Sequence, residues 1–325
     1  AVGLAIGNYL STGKPACVYM QNSGIGNIVN PVTSLANQAV YDIPILFVVG
    51  WRGEPGKKDE PQHRFMGEIT RSILDVLEIP NVVLSADMAE EEITQIFEEA
   101  GSALLEHKQF AIVVKRDALE TDDKIAYENS FTLCREEAIS EIIKSVSPDD
   151  VIVSTTGKIS REVYEQCDKI RGHHKQAFLT VGGMGHAGMI AFGIAQQAKE
   201  KKVYCIEGDG AVLMHMGALA FLAKQAPENF VHICLNNDAH ESVGGMPTGA
   251  VGKEFYKVAG ECGYQYAACV DSVEDLQKEL QKIKEKKLPA FLEVKVKLGA
   301  RADLGRPKES AVENKEQFMG YHFHE

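Results

Sequence analysis

The sequence predicts an α/β protein with two doubly wound parallel-sheet domains. Short apolar runs rich in β-branched residues alternate with longer helical patterns, in two separate series. A strand, a helix and a further strand in that order place the strands parallel, with helices on both faces of the sheet. The stretch 116–134 lies between the two series and is largely polar, so we expect it to be a linker. The 325 residues suffice for two domains of ordinary size.

The first domain is expected over residues 1–115. Its strands are predicted at 16–20, 44–50, 81–85 and 110–114, and its helices at 1–10, 24–40, 65–77 and 89–107. The first ten residues have the apolar character of a helix interior, without a cap residue, a signal-peptide pattern or an initiator methionine. We therefore expect the natural protein to have an upstream segment that completes this domain.

The second domain is expected over residues 135–300, and it repeats the alternation of the first. Its strands are predicted at 151–154, 177–180, 203–206, 230–235, 264–269 and 290–296, with helices between them that include 211–223 and 273–285. A polar C-terminal tail follows over 301–325. We expect its segment RADLGRP at 301–307 to be irregular.

Composition and charge argue against several classes of function. A formal net charge of −12, without any basic stripe, argues against nucleic acid as a partner. The longest apolar run, 43–51, is too short to span a bilayer. The seven cysteines form no CxxC pair and several lie in apolar strands, so we expect reduced, mostly buried thiols in a cytoplasmic protein.

A candidate metal site follows two strands of the second domain. Gly208-Asp209-Gly210 ends one predicted strand, and Asn236-Asn237 ends the next, one helix later. Because ligands bind at the carboxyl ends of strands in a doubly wound sheet, we expect Asp209 and Asn237 to lie close together. A carboxylate, an amide oxygen and a loop carbonyl suit Mg²⁺, and the helix starting at Ala211 would offer N–H groups to an anion. An ordinary strand-to-helix turn and a polar loop are the alternative.

Two more strand ends carry polar or glycine-rich loops. Ser154-Thr-Thr-Gly-Lys158 offers hydroxyl and N–H groups that can meet a diphosphate, although a plain turn gives the same pattern. The stretch Thr180–Ala187 (TVGGMGHA) follows a strand and starts a helix. In the first domain, 51–66 gathers basic residues after a strand. A solvated loop would explain this run, but Arg and Lys side chains also bind anions.

The Gly-Asp-Gly tripeptide and the Asn-Asn pair, with 25 residues between them, resemble the motif of thiamine-diphosphate enzymes. The stretches NSGIGN, TTGK, GGMGHA, HESVGG and RADLGRP make the chain similar to the phosphonopyruvate/sulfopyruvate branch of the thiamine-diphosphate-dependent decarboxylases. The resemblance covers almost the whole chain. It implies a pyrimidine-binding first domain, a diphosphate-binding second domain and no middle domain. It also implies a homodimer or higher oligomer with the cofactor at the subunit interface.

The resemblance implies specific cofactor and metal residues. Mg²⁺ would be held by Asp209, Asn237 and the main-chain carbonyl of Ala239. The carbonyl of Gly182 would bond the aminopyrimidine, and Met184 would wedge under the thiazolium; an ordinary core residue at a helix start is the alternative for Met184. The cofactor-binding set is Thr156, Gly157, Gly182, Gly183, Met184, Gly208, Asp209, Gly210, Ala211 and Asn237.

The implied reaction is the decarboxylation of 3-phosphonopyruvate to phosphonoacetaldehyde and CO₂, a step of phosphonate biosynthesis. His186 and His240 flank the predicted site and are candidates for proton transfer or substrate contact, although a lone histidine is more often a polar loop residue. The candidate substrate residues are Gln21, Asn22, Ser23, Arg52, His63, Arg64 and Lys158.

Other functions stay open at this stage. The same chemistry could act on sulfopyruvate or on an unsubstituted 2-oxo acid, and a non-catalytic nucleotide- or anion-binding α/β protein is a more distant alternative. Met246 stands where the family would have a more polar residue, which leaves substrate preference open. No residue matches the glutamate that activates the cofactor in this family. We expect that glutamate upstream of Ala1, so a chain that starts at Ala1 is expected to have very low activity.

Overall fold

The computed structural model describes residues 1–123, 126–286 and 288–323. The chain divides into two compact units, Ala1–Asp123 (unit 1) and Lys124–Glu325 (unit 2). Lys124 and Ile125 of the expected linker, and the last two residues of the expected tail, lie outside the described residues. None of the helices in these ranges combines the length and the apolar character that crossing a membrane would require.

Unit 1 alternates strands and helices, as the apolar pattern predicts. Its elements are α1 (Val2–Thr12), β1 (Ala16–Gln21), α2 (Ile25–Pro31), β2 (Ile45–Gly50), α3 (Pro61–Val76), β3 (Asn81–Leu84), α4 (Glu90–Leu105) and β4 (Phe110–Val114). The strands form one parallel sheet in the order β1-β2-β4-β3. All five residues of β4 are buried, because helices cover both faces of the sheet at that strand.

The helix predicted over 24–40 is shorter in the structure. A 3₁₀ turn at Asn22–Gly24 precedes α2, and α2 ends at Pro31. A π-helical turn at Val32–Ala36 follows, after which the backbone becomes extended at Asn37. Pro31 has no N–H to donate to the carbonyl of Asn27, which explains why the regular α-helical bonding stops there.

Unit 2 contains a longer parallel sheet. Its elements are α5 (Arg135–Ser145), β5 (Val151–Ser154), α6 (Lys158–Arg171), β6 (Ala177–Leu179), α7 (Ala187–Gln197), β7 (Val203–Gly208), α8 (Asp209–Met214), α9 (Ala218–Gln225), β8 (Phe230–Asn236), β9 (Ala239–His240), β10 (Met246–Pro247), α10 (Phe255–Cys262), β11 (Tyr266–Val270), α11 (Val273–Glu285), β12 (Ala290–Lys295) and α12 (Ala311–His322). The large sheet runs β11-β12-β8-β7-β5-β6, all parallel, while β9 and β10 form a small antiparallel pair.

Two helical segments of unit 2 differ from the sequence prediction. The predicted helix 211–223 is two helices, because α8 ends at Met214 and α9 begins at Ala218. The tail contains α12, for which the sequence analysis had predicted no helix. A capping box starts α12, with Ser310 Oγ accepting from the N–H of Glu313 and Glu313 Oε2 accepting from the N–H of Ser310. RADLGRP itself is irregular.

Helix α12 covers the edge strand of the large sheet. Asn314 Nδ2 donates to the carbonyl of Ala177 at 3.1 Å, and the N–H of Leu179 donates to Asn314 Oδ1 at 3.0 Å. Both bonds satisfy backbone groups of β6, which lies at the edge of the sheet. The tail therefore belongs to the packed structure of unit 2.

Candidate cofactor and metal site

The loops after β5, β7 and β8 lie at the carboxyl edge of the large sheet. From β5 the chain moves outward to β6 and then returns to β7 on the other side of β5, so the strand order reverses between β5 and β7. Ligands bind at such a reversal in doubly wound sheets. Asp209 follows β7 and Asn237 follows β8, and Gly208 pairs with Leu235 in the register of these two strands. The two predicted metal ligands therefore end adjacent strands.

Asp209 is a buried carboxylate at the first residue of α8. Its Oδ2 accepts the hydroxyl hydrogen of Thr248 at 2.6 Å. Burial raises the pKa of Asp209, while the bonds from Thr248 and from the N–H of Gly210 oppose that rise. A bound divalent cation would offset the cost of burying the ionised carboxylate, so the environment of Asp209 fits a metal ligand.

Asn237 has a defined amide orientation. Its Oδ1 accepts the N–H of Ala239 at 3.1 Å, and its Nδ2 donates to Glu241 Oε2 at 3.1 Å. The carbonyl of Asn237 accepts from Asn129 Nδ2 at 2.8 Å, which ties the loop to the segment before α5. A carboxylate, an amide oxygen and loop carbonyls are hard oxygen donors, and this donor set fits Mg²⁺.

Thr248 links the two predicted metal loops. Besides its bond to Asp209, its N–H donates to the carbonyl of Asp238 at 2.8 Å. Asp238 has a φ of 59°, and its N–H donates to Asn236 Oδ1 at 2.9 Å, so a side chain supports the turn that presents Ala239. No role for Thr248 was predicted from the sequence.

Met184 and His240 both lie close to Gly210. A Cβ added to Gly210 would lie 3.1 Å from Met184 Cε and 3.0 Å from His240 Nδ1. The absence of a side chain at Gly210 therefore gives room to the predicted wedge and to one of the predicted catalytic histidines. His186, the other candidate, packs edge-on against His215 with ring centroids 4.6 Å apart, and its Nδ1 lies 3.0 Å from the carbonyl of Gly183.

The loop after β5 is joined to the loop after β6. Gly157 adopts φ 93° and ψ −142°, a conformation that favours glycine. Thr156 Oγ1 donates to the carbonyl of Val181 at 2.8 Å, which connects the predicted diphosphate loop with the predicted pyrimidine-binding stretch at Gly182. Lys158, predicted to contact substrate, donates from Nζ to Glu241 Oε1 at 2.7 Å.

The candidate substrate residues of unit 1 lie at the end of β1, directly after β2 and in the first turn of α3. Asn22 is fully buried and joins the two strand ends, because Nδ2 donates to the carbonyl of Arg52 at 2.7 Å and Oδ1 accepts the N–H of Arg52 at 3.1 Å. Ser23 Oγ donates to Gln21 Oε1 at 2.7 Å, on an exposed surface. These contacts give Asn22 a structural role in unit 1.

The basic loop after β2 is organised around Asp59. Arg52 donates from Nε and Nη2 to the two oxygens of Asp59, at 2.8 and 2.5 Å. Arg64 Nε lies 3.4 Å from the carbonyl of Asp59. Burial lowers the pKa of His63, and the charge of Arg52 lowers it further. Arg52, His63 and Arg64 therefore belong to one local cluster, within which Arg52 is held by a carboxylate.

Sequence reasoning missed two further residues at the metal loop. Arg135, at the start of α5, and Glu241, after β9, are bonded to each other at 2.5 Å although they lie 106 positions apart in the sequence. Glu241 lay within the HESVGG stretch, but no spacing rule connects it with Arg135. Only the packing of α5 beside the β8 loop brings the pair together.

Family models match both units. The model described as "Thiamine pyrophosphate enzyme, N-terminal TPP binding domain" matches residues 1–76. The model described as "Thiamine pyrophosphate enzyme, C-terminal TPP binding domain" matches residues 156–294. The second range contains the loops after β5, β6, β7 and β8 described above.

Curated relatives cover nearly all of the chain. A phosphonopyruvate decarboxylase of Streptomyces viridochromogenes is 33% identical over 99% of this chain and 82% of its own length. One of Streptomyces hygroscopicus is 32% identical over 95% of this chain and 78% of its own length. A sulfopyruvate decarboxylase of Methanosarcina acetivorans is 28% identical over 92% of this chain and 80% of its own length.

Proposed function

The chain belongs to the thiamine pyrophosphate enzyme family that includes phosphonopyruvate decarboxylase, and we propose that it decarboxylates 3-phosphonopyruvate to phosphonoacetaldehyde and CO₂. The observation that carries the proposal is the placement of Asp209 and Asn237 after the adjacent strands β7 and β8, in loops that Thr248 joins. The enzyme is a carboxy-lyase that uses thiamine diphosphate, and Mg²⁺ is part of the proposal.

Residues of unit 2 would hold the metal and the cofactor. Asp209, Asn237 and the carbonyl of Ala239 would bind Mg²⁺. Thr156 and Gly157 would meet the diphosphate, together with N–H groups at the start of α8. Gly182 and Gly183 would line the pyrimidine side, and Met184 would support the thiazolium ring.

When bound, thiamine diphosphate supplies an electron sink for the electron pair left by the departing carbon dioxide. The protein would position the 2-oxo acid substrate and move protons. His240 contacts the same space as Gly210 and Met184, so it is the better placed of the two histidines to deliver a proton to the product carbon. His186 is held at Nδ1 by the carbonyl of Gly183, and we assign it a contact with substrate.

The phosphonate requires a cationic pocket. Gln21, Ser23, Arg52, His63 and Arg64 are the candidate residues of unit 1. Arginine binds phosphonate oxygens in a fork geometry, although Arg52 already holds Asp59 with two of its nitrogens. Sulfopyruvate is the second candidate substrate, because the relative from Methanosarcina acetivorans is a sulfopyruvate decarboxylase.

The assignment of one part of the cofactor to each domain is also a proposal. Residues 1–115 would bind the pyrimidine and 135–300 the diphosphate, joined by 116–134 and followed by the tail 301–325. The two family models, which match 1–76 and 156–294, support this division. We further propose a cytoplasmic homodimer or higher oligomer with the cofactor at the subunit interface.

Release of CO₂ from phosphonopyruvate, sulfopyruvate and pyruvate, measured side by side on full-length protein, tests the proposal. Each reaction is run with and without thiamine diphosphate and Mg²⁺. We expect cofactor-dependent release that is fastest from phosphonopyruvate, with phosphonoacetaldehyde as product. Faster release from sulfopyruvate would make sulfopyruvate the assigned substrate in place of phosphonopyruvate. Release from none of the three, with cofactor bound, would refute the reaction while leaving the cofactor site intact.

A further inference from the structure

A largely buried ion-pair network lies beside the metal loop. Arg135, which is 4% exposed, donates from Nε and Nη2 to the two oxygens of Glu162, each at 2.8 Å. Its Nη1 donates to Glu241 Oε2 at 2.5 Å. Lys158 Nζ donates to Glu241 Oε1 at 2.7 Å. Two cations and two carboxylates therefore neutralise one another at the point where α5, α6 and the loop after β9 meet.

The network fixes the carboxylate of Glu241 from two sides. Lys158 is the first residue of α6, where the helix dipole disfavours a cation, and Glu241 compensates for that placement. Arg135 would be costly to bury without carboxylate partners. Arg135 and Lys158 thus hold the carboxylate in one orientation.

Glu241 makes one further bond, to a predicted metal ligand. Its Oε2 accepts from Asn237 Nδ2 at 3.1 Å. On the other side of the same amide, Oδ1 accepts from the N–H of Ala239 at 3.1 Å. Both contacts require the same placement of nitrogen and oxygen in the Asn237 amide, because a carboxylate only accepts and an N–H only donates. An amide oxygen can accept twice, so Oδ1 keeps a lone pair for a cation.

We infer that Glu241, held by Arg135 and Lys158, is a positioning residue that sets the Asn237 amide for Mg²⁺. The inference rests on the proposed function, since it assigns these residues to the metal of that same site. Lys158 then acts through Glu241, and Arg135 acquires a role in metal binding. Partners that orient a metal ligand usually change metal affinity by about tenfold to a hundredfold when removed.

A purely structural role would predict a different result. If the network only held α5 against α6, removing Glu241 would lower the melting temperature and leave the metal requirement unchanged. If Glu241 positions Asn237, the Mg²⁺ requirement rises whether or not the melting temperature changes. Metal dependence of cofactor binding therefore separates the two roles without any measurement of catalysis.

The experiment measures the Mg²⁺ concentration that gives half-maximal retention of thiamine diphosphate in equilibrium dialysis. Glu241→Ala should raise that concentration by about tenfold or more. Glu241→Gln should give an intermediate value, because its carbonyl can still accept from Asn237. If Glu241→Ala does not fold, the comparison of Glu241→Gln with the unmodified protein decides. Glu279→Ala is the matched control. The side chain of Glu279 is 14% exposed and that of Glu241 is 13% exposed, and Glu279 forms an ion pair with Lys282 on α11.

Unchanged half-saturation in the Glu241 variants, with normal Mg²⁺-dependent binding by the unmodified protein, would overturn the inference and leave the proposed function standing. An equal rise in Glu279→Ala would also overturn it, because the effect would then follow from losing any shielded carboxylate. Absence of Mg²⁺-dependent binding in the unmodified protein would overturn the metal assignment and this inference with it.

Discussion

Thr248 donates its hydroxyl hydrogen to Asp209 Oδ2 at 2.6 Å, across 39 residues of sequence. Through its N–H, the same threonine donates to the carbonyl of Asp238 at 2.8 Å. One residue therefore sets the distance between the carboxylate after β7 and the turn after β8. Metal ligands need such outer partners, because a carboxylate free to rotate binds a small, rigid cation poorly.

Replacing Thr248 tests this link. Thr248→Val keeps the shape of the side chain and removes the hydroxyl, so Asp209 loses a donor. We expect the Mg²⁺ concentration needed to retain thiamine diphosphate to rise by about tenfold. Thr94→Val, at an exposed position of α4, is the control, because the Thr94 hydroxyl bonds only within its own helix. Equal metal requirements in the two variants would show that the bond does not position Asp209.

A second prediction concerns the space beside Gly210. The Cβ of Gly210→Ala would press on Met184 Cε and on the ring of His240, both flexible side chains. We expect kcat to fall by about tenfold to a hundredfold, since small displacements of reacting groups have effects of this size. Urea unfolding should change little. Gly193→Ala, in α7 with no atom within 4 Å of the added Cβ, should keep its activity. Full activity in Gly210→Ala would contradict the placement of His240 and Met184.

The close approach of Gly67 to Gly53 predicts that a side chain at position 67 would destabilise unit 1. A Cβ on Gly67 would overlap the carbonyl of Gly53, and Trp51 Nε1 donates to the carbonyl of Gly67 at 2.9 Å. Because backbone atoms cannot move aside as a side-chain tip does, Gly67→Ala should lose about 3 kcal/mol of unfolding free energy. Gly101→Ala, in α4 with open space around the added Cβ, should lose none. Similar denaturation midpoints for the two variants would contradict this packing.

The Arg52–Asp59 pair predicts a dependence of stability on pH. The bond from Arg52 holds the pKa of Asp59 well below its usual range, with help from the N–H groups of Gly53 and Glu60. Because the pKa of Asp59 is lower in the folded than in the unfolded state, the ion pair stabilises the protein at pH values above the unfolded-state pKa of about 3.9. That contribution is lost as the pH falls below this value. Asp59→Asn should therefore lower the unfolding free energy at pH 6 and have a smaller effect near pH 3.

The control for this pH experiment is Asp122→Asn, at an exposed position of unit 1. Its unfolding free energy should follow that of the unmodified protein at each pH. A deficit in Asp59→Asn that stays constant from pH 6 to pH 3 would contradict the electrostatic role of the pair.

The strands and the loops at their carboxyl ends could be predicted from sequence. Apolar runs marked each strand of the two parallel sheets, although not the short strands β9 and β10, and parallel topology placed Asp209 and Asn237 at one edge. Boundaries were less predictable, because 211–223 is largely apolar and was predicted as one helix, although α8 ends at Met214 and Gly217 precedes α9. The capping pair Ser310 and Glu313 carried a readable signal for α12, which the sequence analysis did not use.

The network around the metal loop could not be predicted. Arg135, Glu162 and Glu241 are ordinary charged residues in helical or loop patterns, and a solvated surface is the usual place for each. Their burial depends on how α5 packs on α6 and on the β8 loop, which is a property of the assembled unit. Thr248 is similar, since nothing in a Pro-Thr turn indicates a partner 39 residues away.

Retention of thiamine diphosphate by the unmodified protein and by Asp209→Ala, with Mg²⁺ and with a chelator, tests the central claim most directly. Asp209 is buried with a raised pKa, so removing the carboxylate should leave the protein folded, which a melting curve verifies. We predict that the unmodified protein retains the cofactor only with Mg²⁺ and that Asp209→Ala retains none at the same concentrations. Equal, Mg²⁺-dependent retention by both proteins would contradict the account.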